Sequence, residues 1–220
     1  MNAPPTALRR LTVGTGLLLL LSCGGLGEYM PLEPGSWWEY RTTVVETVGA
    51  IVLQDYEDQR YAEVTFTEVS GLHGELAWMT KVMDDVNSSY GYYVGVSGGE
   101  VTIFSDLDSP TGEIYLREPL EDGSTWTTHA RQDPDVEVRG EIVSASEDLV
   151  MPLWTFDDCV HARLRSTRET NGQHPGPETV TWDFWYARGV GMVRTTLLVE
   201  NASWMYRRLV TQEILNYSLE

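Results

Sequence analysis

The sequence predicts an all-β fold: a single antiparallel curved sheet, a half-barrel or barrel-like sandwich, of about ten to twelve strands. Three observations predict it. Segment after segment alternates with period two, as in Trp38, Tyr40, Thr42 and Val44 against Glu39, Arg41 and Thr43, which is the pattern of a strand with one buried face. Short Gly-, Pro-, Asn- and Asp-rich stretches separate these segments, and short turns between neighbouring strands favour antiparallel pairing. No window of a dozen residues carries the 3.6-residue apolar stripe of an amphipathic helix.

The chain opens with a leader. Arg9-Arg10 precedes a largely apolar, uncharged run from Leu11 to Leu21, too short to span a bilayer, which takes roughly 20 apolar residues, and suited to a cleaved secretion signal. Leu20-Leu21-Ser22-Cys23 resembles the bacterial lipobox. That resemblance implies cleavage before Cys23 and lipidation of its sulfur. Each buried CH₂ contributes about 0.8 kcal/mol, so several acyl chains make such an anchor effectively permanent. Gly24, not Asp, follows the cysteine, so the expected location is the outer membrane of a bacterial envelope. The expected organisation is therefore a lipoprotein signal peptide (1–22), a lipidated tether (23–30) and one β-rich envelope domain (31–220).

Within that domain, Pro31-Leu32-Glu33-Pro34-Gly35-Ser36 reads as a turn that leads into the strand from Trp38. Further strands are predicted at Tyr61–Val69, Glu75–Met83, Tyr90–Val96, Val101–Phe104, Ile114–Leu116, Trp126–Ala130, Val136–Ser144 and Cys159–Thr167. Val180, Trp182, Phe184 and Tyr186 mark another, and Val190–Val199 and Trp204–Leu215 complete the series. Asn171–Pro177 reads as a polar loop. Glu147–Phe156 reads as one helical turn or a loop, and Asp55–Asp58 and Asp106–Asp108 as solvated turns. Pro119-Leu120-Glu121-Asp122-Gly123-Ser124-Thr125-Trp126 echoes the first lead-in; a duplicated half-sheet and a convenient turn chemistry used twice both account for it.

Composition narrows the partners. The chain holds 33 acidic and 15 basic residues, a formal charge of −18; this excludes a nucleic-acid role, which needs basic patches. The two cysteines are Cys23 and Cys159, so with Cys23 lipidated no intrachain disulfide forms and packing must carry the stability. Eight Trp and eleven Tyr supply that payload.

Three stretches together carry a resemblance: Tyr29-Met30-Pro31-Leu32-x-x-Gly35-x-Trp37-x-x-Tyr40, Thr155-Phe156-x-Asp158-Cys159-Val160, and Trp185-Tyr186-Ala187-Arg188-Gly189-Val190-Gly191-Met192-Val193-Arg194. They resemble a broad set of bacterial envelope lipoproteins of unassigned function. The resemblance implies an all-β domain, similar in outline to the half-barrel of lipoprotein-carrier proteins, and supplies no catalytic residues. Pro31, Leu32, Gly35, Trp37, Tyr40, Cys159, Tyr186, Gly189 and Gly191 are read as its structural motif, with Gly189 and Gly191 placed for a bulge or sharp bend and Arg188 and Arg194 extended over an aromatic cluster.

Little catalytic chemistry stands out. Gly95-Val96-Ser97-Gly98-Gly99 matches the G-x-S-x-G pattern, but a strand-like Val101–Phe104 follows where a nucleophile elbow needs a helix. His73, His129, His161 and His174 show no zinc spacing, and Cys159-Val160-His161 lacks further ligands. No metal or cofactor is expected. Arg163, Arg165, Arg168, Arg207 and Arg208 are expected to pair with surface acids. The functional expectation, in order, is a non-enzymatic lipid-anchored scaffold for another envelope protein, a carrier of an acyl chain or other apolar ligand in the concavity of the sheet, and a secreted hydrolase using Ser97. The partners are then the membrane through Cys23 and either an envelope protein or an apolar ligand.

Overall fold

The computed structural model describes residues 25–83, 88–171 and 174–220; the leader and Cys23 lie outside them. Twelve strands follow in chain order: β1 Trp37–Val48, β2 Ile51–Gly71, β3 Gly74–Met83, β4 Ser88–Ser97, β5 Glu100–Phe104, β6 Glu113–Arg117, β7 Thr125–Ala130, β8 Asp133–Val150, β9 Thr155–Thr170, β10 Gly176–Ala187, β11 Gly191–Asn201 and β12 Tyr206–Ser218. They form one antiparallel sheet in the order β6-β5-β4-β3-β2-β1-β12-β11-β10-β9-β8-β7. Every chain neighbour pairs by a hairpin except β6 and β7, and β1 pairs β12 along its whole length from Trp37↔Ser218 to Val48↔Tyr206.

The sheet curls until its two edges meet. β6 and β7 share no ladder; side chains close the gap. The Ile114 amide donates to Thr128 Oγ1 at 3.0 Å, Thr128 Oγ1 donates to the Gly112 carbonyl at 3.3 Å, and the Trp126 indole donates to the Ile114 carbonyl at 3.1 Å. An open sheet would leave two rows of unpaired backbone groups exposed to pairing with other chains, and this closure sets the two edges against each other and pairs the Ile114 amide and the Gly112 and Ile114 carbonyls with side chains.

One face of each strand points into the barrel. Val44, Val64, Val94, Leu116, Ile142, Val160, Ala162, Phe184 and Ile214 are almost fully buried there, and each large apolar side chain so buried contributes about 1.5–3 kcal/mol. Two glycines make room for indoles. A Cβ on Gly140 would collide with Trp126, and one on Gly91 with Trp78.

The repeated lead-in makes the same contacts twice. Gly35 (φ +93°) donates to Val64 O and Val64 donates to Ser36 O, while Gly123 (φ +79°) donates to Ile142 O and Ile142 donates to Ser124 O. Each copy opens a run of six strands and is followed by a buried tryptophan, Trp38 or Trp126. The shared bonding supports a duplicated half-sheet.

Three expectations need correction. Asp55–Asp58, read as a solvated turn, lies inside β2 opposite Thr42–Val45. The chain turns earlier, at Gly49 (φ +58°), and residues 51–57 are exposed, so this arm of the β1–β2 ladder covers no core and shows no alternation. Glu147–Phe156, read as a helical turn or loop, is the end of β8, a four-residue turn and the start of β9. Register shifts at Ile142/Ser144, Ser144/Glu147 and Glu147/Leu149 erase its period. The tether begins to pack before residue 30: Leu26–Glu28 forms a 3₁₀ turn, and Leu26 and Tyr29 are buried.

Gly140→Ala should lower stability by about 1–3 kcal/mol, because the added methyl must displace Trp126 from a close-packed position at the seam. A urea midpoint compared with the parent checks this.

Candidate functional site

The two stretches that stood out at either end of the sequence meet at one end of the barrel. The Trp38 indole donates to the Val190 carbonyl at 2.7 Å, and the Tyr40 hydroxyl to the Met192 carbonyl at 2.8 Å. Gly189 donates to the Glu28 carbonyl at 2.6 Å. Arg188 pairs with Glu28 at 3.0 Å and its guanidinium lies 5.5 Å from the Tyr29 ring centre. Gly189 and Gly191 (φ +70° and +100°) make the β10–β11 turn that presents these carbonyls, and Gly191 leaves room for Pro31 and Trp38 at its side. The segment from Leu26 to Met30 is thereby fixed as a floor across this end, with Met30 lining the interior.

Above the floor lies a cavity of about 90 Å³. Its walls are mainly aromatic and thioether: Trp38, Tyr40, Met79, Tyr92, Tyr115, Trp182, Phe184, Tyr186 and Met192. The rings pack on one another. Tyr115 lies 5.0 Å from Phe184 and 5.7 Å from Trp182, and Trp182 lies 5.2 Å from Phe184. The Trp182 indole is held by Thr195 Oγ1 at 2.7 Å.

Polar groups converge on one wall. Lys81 of β3 is 8% exposed and donates to Gln212 Oε1 of β12 at 3.0 Å; Gln212 Nε2 donates in turn to Thr42 Oγ1 of β1 at 3.0 Å. Lys81 Nζ also lies 5.8 Å from the Tyr40 ring centre. Burial, with a smaller push from Arg60, lowers the Lys81 ammonium to about 8. Burial likewise holds the Tyr40, Tyr92, Tyr115 and Tyr186 hydroxyls in their protonated, donating form, each pushed up further by a neighbouring tyrosine. No Asp or Glu lines this cavity among the described residues; its charged groups are Lys81 and Arg131. Arg131 stands over the Tyr92 ring at 5.5 Å.

Tyr115, Arg131 and Trp182 also line a second space of about 380 Å³, the open mouth at the end opposite the floor. Val136, Val138, Leu164, Val180, Leu197 and Val199 face it, and Glu113, Asp133, Arg165, Arg168 and Arg208 rim it. The lumen is therefore shut at the N-terminal end and open at the other.

The sequence-singled residues divide between these features. Tyr40 and Tyr186 line the cavity. Gly35, Gly189 and Gly191 make the turns that hold its floor. Leu32 packs against the core. Trp37 points outward and stacks on Tyr61 at 5.6 Å; the adjacent Trp38 is the one that enters the lumen. Cys159 is apart from the site, fully buried in β9, its thiol pushed up to about 11 by burial and then by nearby acids. Ser97 ends β4, and Gly98 and Gly99 (φ +60° and +76°) turn directly into β5, so the G-x-S-x-G stretch is a hairpin and not a strand–helix elbow. His161 is clasped by Glu147 at 3.1 Å and Asp183 at 2.7 Å. Arg163, Arg168 and Arg207 each pair with an acid, and Arg194 lies over the Trp185 ring at 5.1 Å.

Sequence reasoning missed Lys81 and Gln212. The signal was present: Lys81 shares the phase of Ala77 and Met79, and Gln212 that of Val210 and Ile214. A polar residue on the apolar phase of a strand marks a polar group directed into the core.

No family model matches the chain, and no curated protein matches it. Among solved structures, a candidate lipoprotein from Parabacteroides distasonis is similar at 13% identity and TM-score 0.49, over 85% of this chain and 98% of that one. A candidate exported protein with a YmcC-like fold from Bacteroides fragilis is similar at 14% identity and TM-score 0.47, over 84% of this chain and 99% of that one.

Lys81 gives a pH test. Its folded pKa, about 8, lies below its ordinary 10.5, so between these values the unfolded chain binds the extra proton and stability rises with pH. Above about pH 9 the buried Cys159, and above about pH 10 the buried tyrosines, oppose this rise, because their folded pKa values are raised. Stability should therefore climb by about 1 kcal/mol from pH 8 to pH 9, and Lys81→Met should be more stable than the parent at pH 7 and lack the climb. Urea titrations of both proteins across this range provide the measurement.

Proposed function

We propose that this chain is a lipid-anchored, non-enzymatic protein of the bacterial envelope whose barrel binds a small apolar or amphiphilic molecule in its lumen. The observation that carries the reading is the aromatic cavity, shut at one end and sharing Tyr115, Arg131 and Trp182 at the other with a wider mouth that has an apolar wall and a charged rim. Small-molecule sites are concave and mostly apolar, with a few converging polar groups, and this lumen has that make-up. The sequence ranked a scaffold ahead of a carrier. A lumen that opens to solvent favours the carrier, because a purely structural barrel would be filled by side chains.

The lipid-anchor reading fits the same geometry. The described chain starts at Gly25, two residues after Cys23, and runs directly into the sealed floor. An anchor at Cys23 would hold the closed end against the membrane and direct the mouth away from it. One feature favours the scaffold as a second reading: Ile51, Val52 and Leu53 at the β1–β2 tip and Met205 beside it are exposed, and grouped apolar residues on a surface mark contact sites.

Native mass spectrometry of the whole protein released from detergent micelles tests the lumen reading. The expected result is a small-molecule adduct, lost on unfolding and absent from Ala62→Phe, which fills the cavity wall. A bare, lipid-modified polypeptide in both cases would move the conclusion to the scaffold. For the anchor, Cys23→Ala should leave an uncleaved or unlipidated chain by mass. Normal processing and membrane retention of that variant would overturn the lipoprotein assignment.

A further inference from the structure

A chain with 33 acidic and 15 basic residues lines its inner cavity with two cations, Lys81 and Arg131, and with no Asp or Glu among the described residues. Lys81 is more than nine-tenths buried and Gln212 Oε1 takes one of its three N–H bonds. Among the described residues no carboxylate pairs with it: its charged neighbours are Arg60, itself paired with Asp58 at 3.5 Å, and, across the cavity, Arg131. Tyr92 and Tyr186 line the same space, and burial keeps their hydroxyls protonated. A buried ammonium without a counter-charge is costly. Gln212 does not remove that cost; it holds the ammonium in place, since the amide is itself held by Thr42.

We infer that the ligand is an amphiphile with a carboxylate head, seated against Lys81 and the Tyr92 and Tyr186 hydroxyls, with its apolar tail in the mouth. The inference rests on the lumen being a ligand site, and it names the ligand's chemistry. Size fixes the orientation. About 90 Å³ accommodates a head group and a few waters, whereas the mouth of about 380 Å³ is wider and carries an apolar wall of valine and leucine inside a charged rim. Tyr115, Arg131 and Trp182 line both spaces and mark the passage between them. Charge selects the head: of the two cations lining the cavity only Lys81 is buried, Arg131 being half-buried and engaged over the Tyr92 ring, and one buried ammonium matches a monoanion, whereas a phosphate dianion would call for a cluster of cations or a bidentate arginine at that depth. Glu113, whose side chain accepts from the Arg131 amide at 3.4 Å, places an acid in the mouth beside the passage, which opposes a second negative group there.

The test is photolabelling of the whole protein in phosphatidylcholine vesicles. The probes are dodecanoic acid, dodecanol and dodecyl phosphate, each with a diazirine at the same carbon, and labelled peptides are mapped by mass spectrometry. A charge-assisted hydrogen bond outweighs a neutral one by about tenfold in binding, so the acid should label peptides bearing Met79, Tyr92 or Trp182 about tenfold more than the alcohol. Lys81→Met should reduce acid labelling to the alcohol's level and leave alcohol labelling unchanged, and Lys81→Arg should restore it. Near-UV circular dichroism confirms that the variants retain their aromatic packing. Equal labelling by acid and alcohol, insensitive to Lys81→Met, would overturn the carboxylate inference and leave the lumen reading standing. Preference for the phosphate would overturn the choice of head group. Labelling confined to the outer surface would overturn the lumen reading and this inference with it.

Discussion

The structure depends on closing a sheet whose end strands do not pair. Eleven interfaces in the barrel are antiparallel ladders, from β5–β6 round to β7–β8. The twelfth, between β6 and β7, consists of the Trp126 indole and the Thr128 hydroxyl reaching the backbone of residues 112–114. Each such bond contributes about 0.5–1.5 kcal/mol net, less than a continuous ladder would supply. It suffices because both edge strands are short, five and six residues, leaving few backbone groups unpaired. Without that junction there is a curved sheet with a concavity. With it there is an enclosed lumen, and Tyr115 and Trp182 can pack face to edge across it.

The second requirement is the floor. The lead-in to β1 and the β10–β11 turn are far apart in sequence, yet they form one contact through Trp38, Tyr40, Gly189 and the carbonyls of residues 190 and 192. That contact explains why both stretches read as motifs. One supplies indole and phenol donors; the other supplies a glycine turn able to present carbonyls to them. The same contact ties the N-terminal segment to the closed end, so any anchor upstream of Gly25 and the open mouth lie at opposite ends of the barrel.

Much of this was legible in the chain. The inward face of β1 was readable because Trp38, Tyr40, Thr42 and Val44 keep strict period two where one face is buried, and that of β10 because Trp182, Phe184 and Tyr186 alternate in the sequence, although Trp185 and Ala187 are buried on its other face. The strand at residues 51–60 was not readable, because a ladder that covers no core places no demand on side-chain type. Nor was the end of β8, where three register shifts break the alternation. Closure itself cannot be seen in any local pattern, since it depends on where strands six and seven arrive after the whole meander has curled. The polar wall was visible only as Lys81 and Gln212 out of place on apolar faces, and its meaning required knowing that β3 and β12 stand on the same wall, separated by β2 and β1.

The functional account follows from these constraints: a sealed floor, an aromatic interior with one buried ammonium, and a wider, charge-rimmed mouth directed away from the N-terminus. All of it requires that the edges meet. The most direct measurement is a nuclear Overhauser spectrum of the folded protein with the Thr128 γ-methyl and the Ile114 amide assigned. These groups are brought together by the 3.0 Å bond between Ile114 N and Thr128 Oγ1. The account predicts a cross-peak between them as clear as that joining Val94 and Ile103, which pair in an ordinary ladder. A spectrum with the Val94–Ile103 contact and no Ile114–Thr128 contact would mean an open half-barrel and no enclosed lumen.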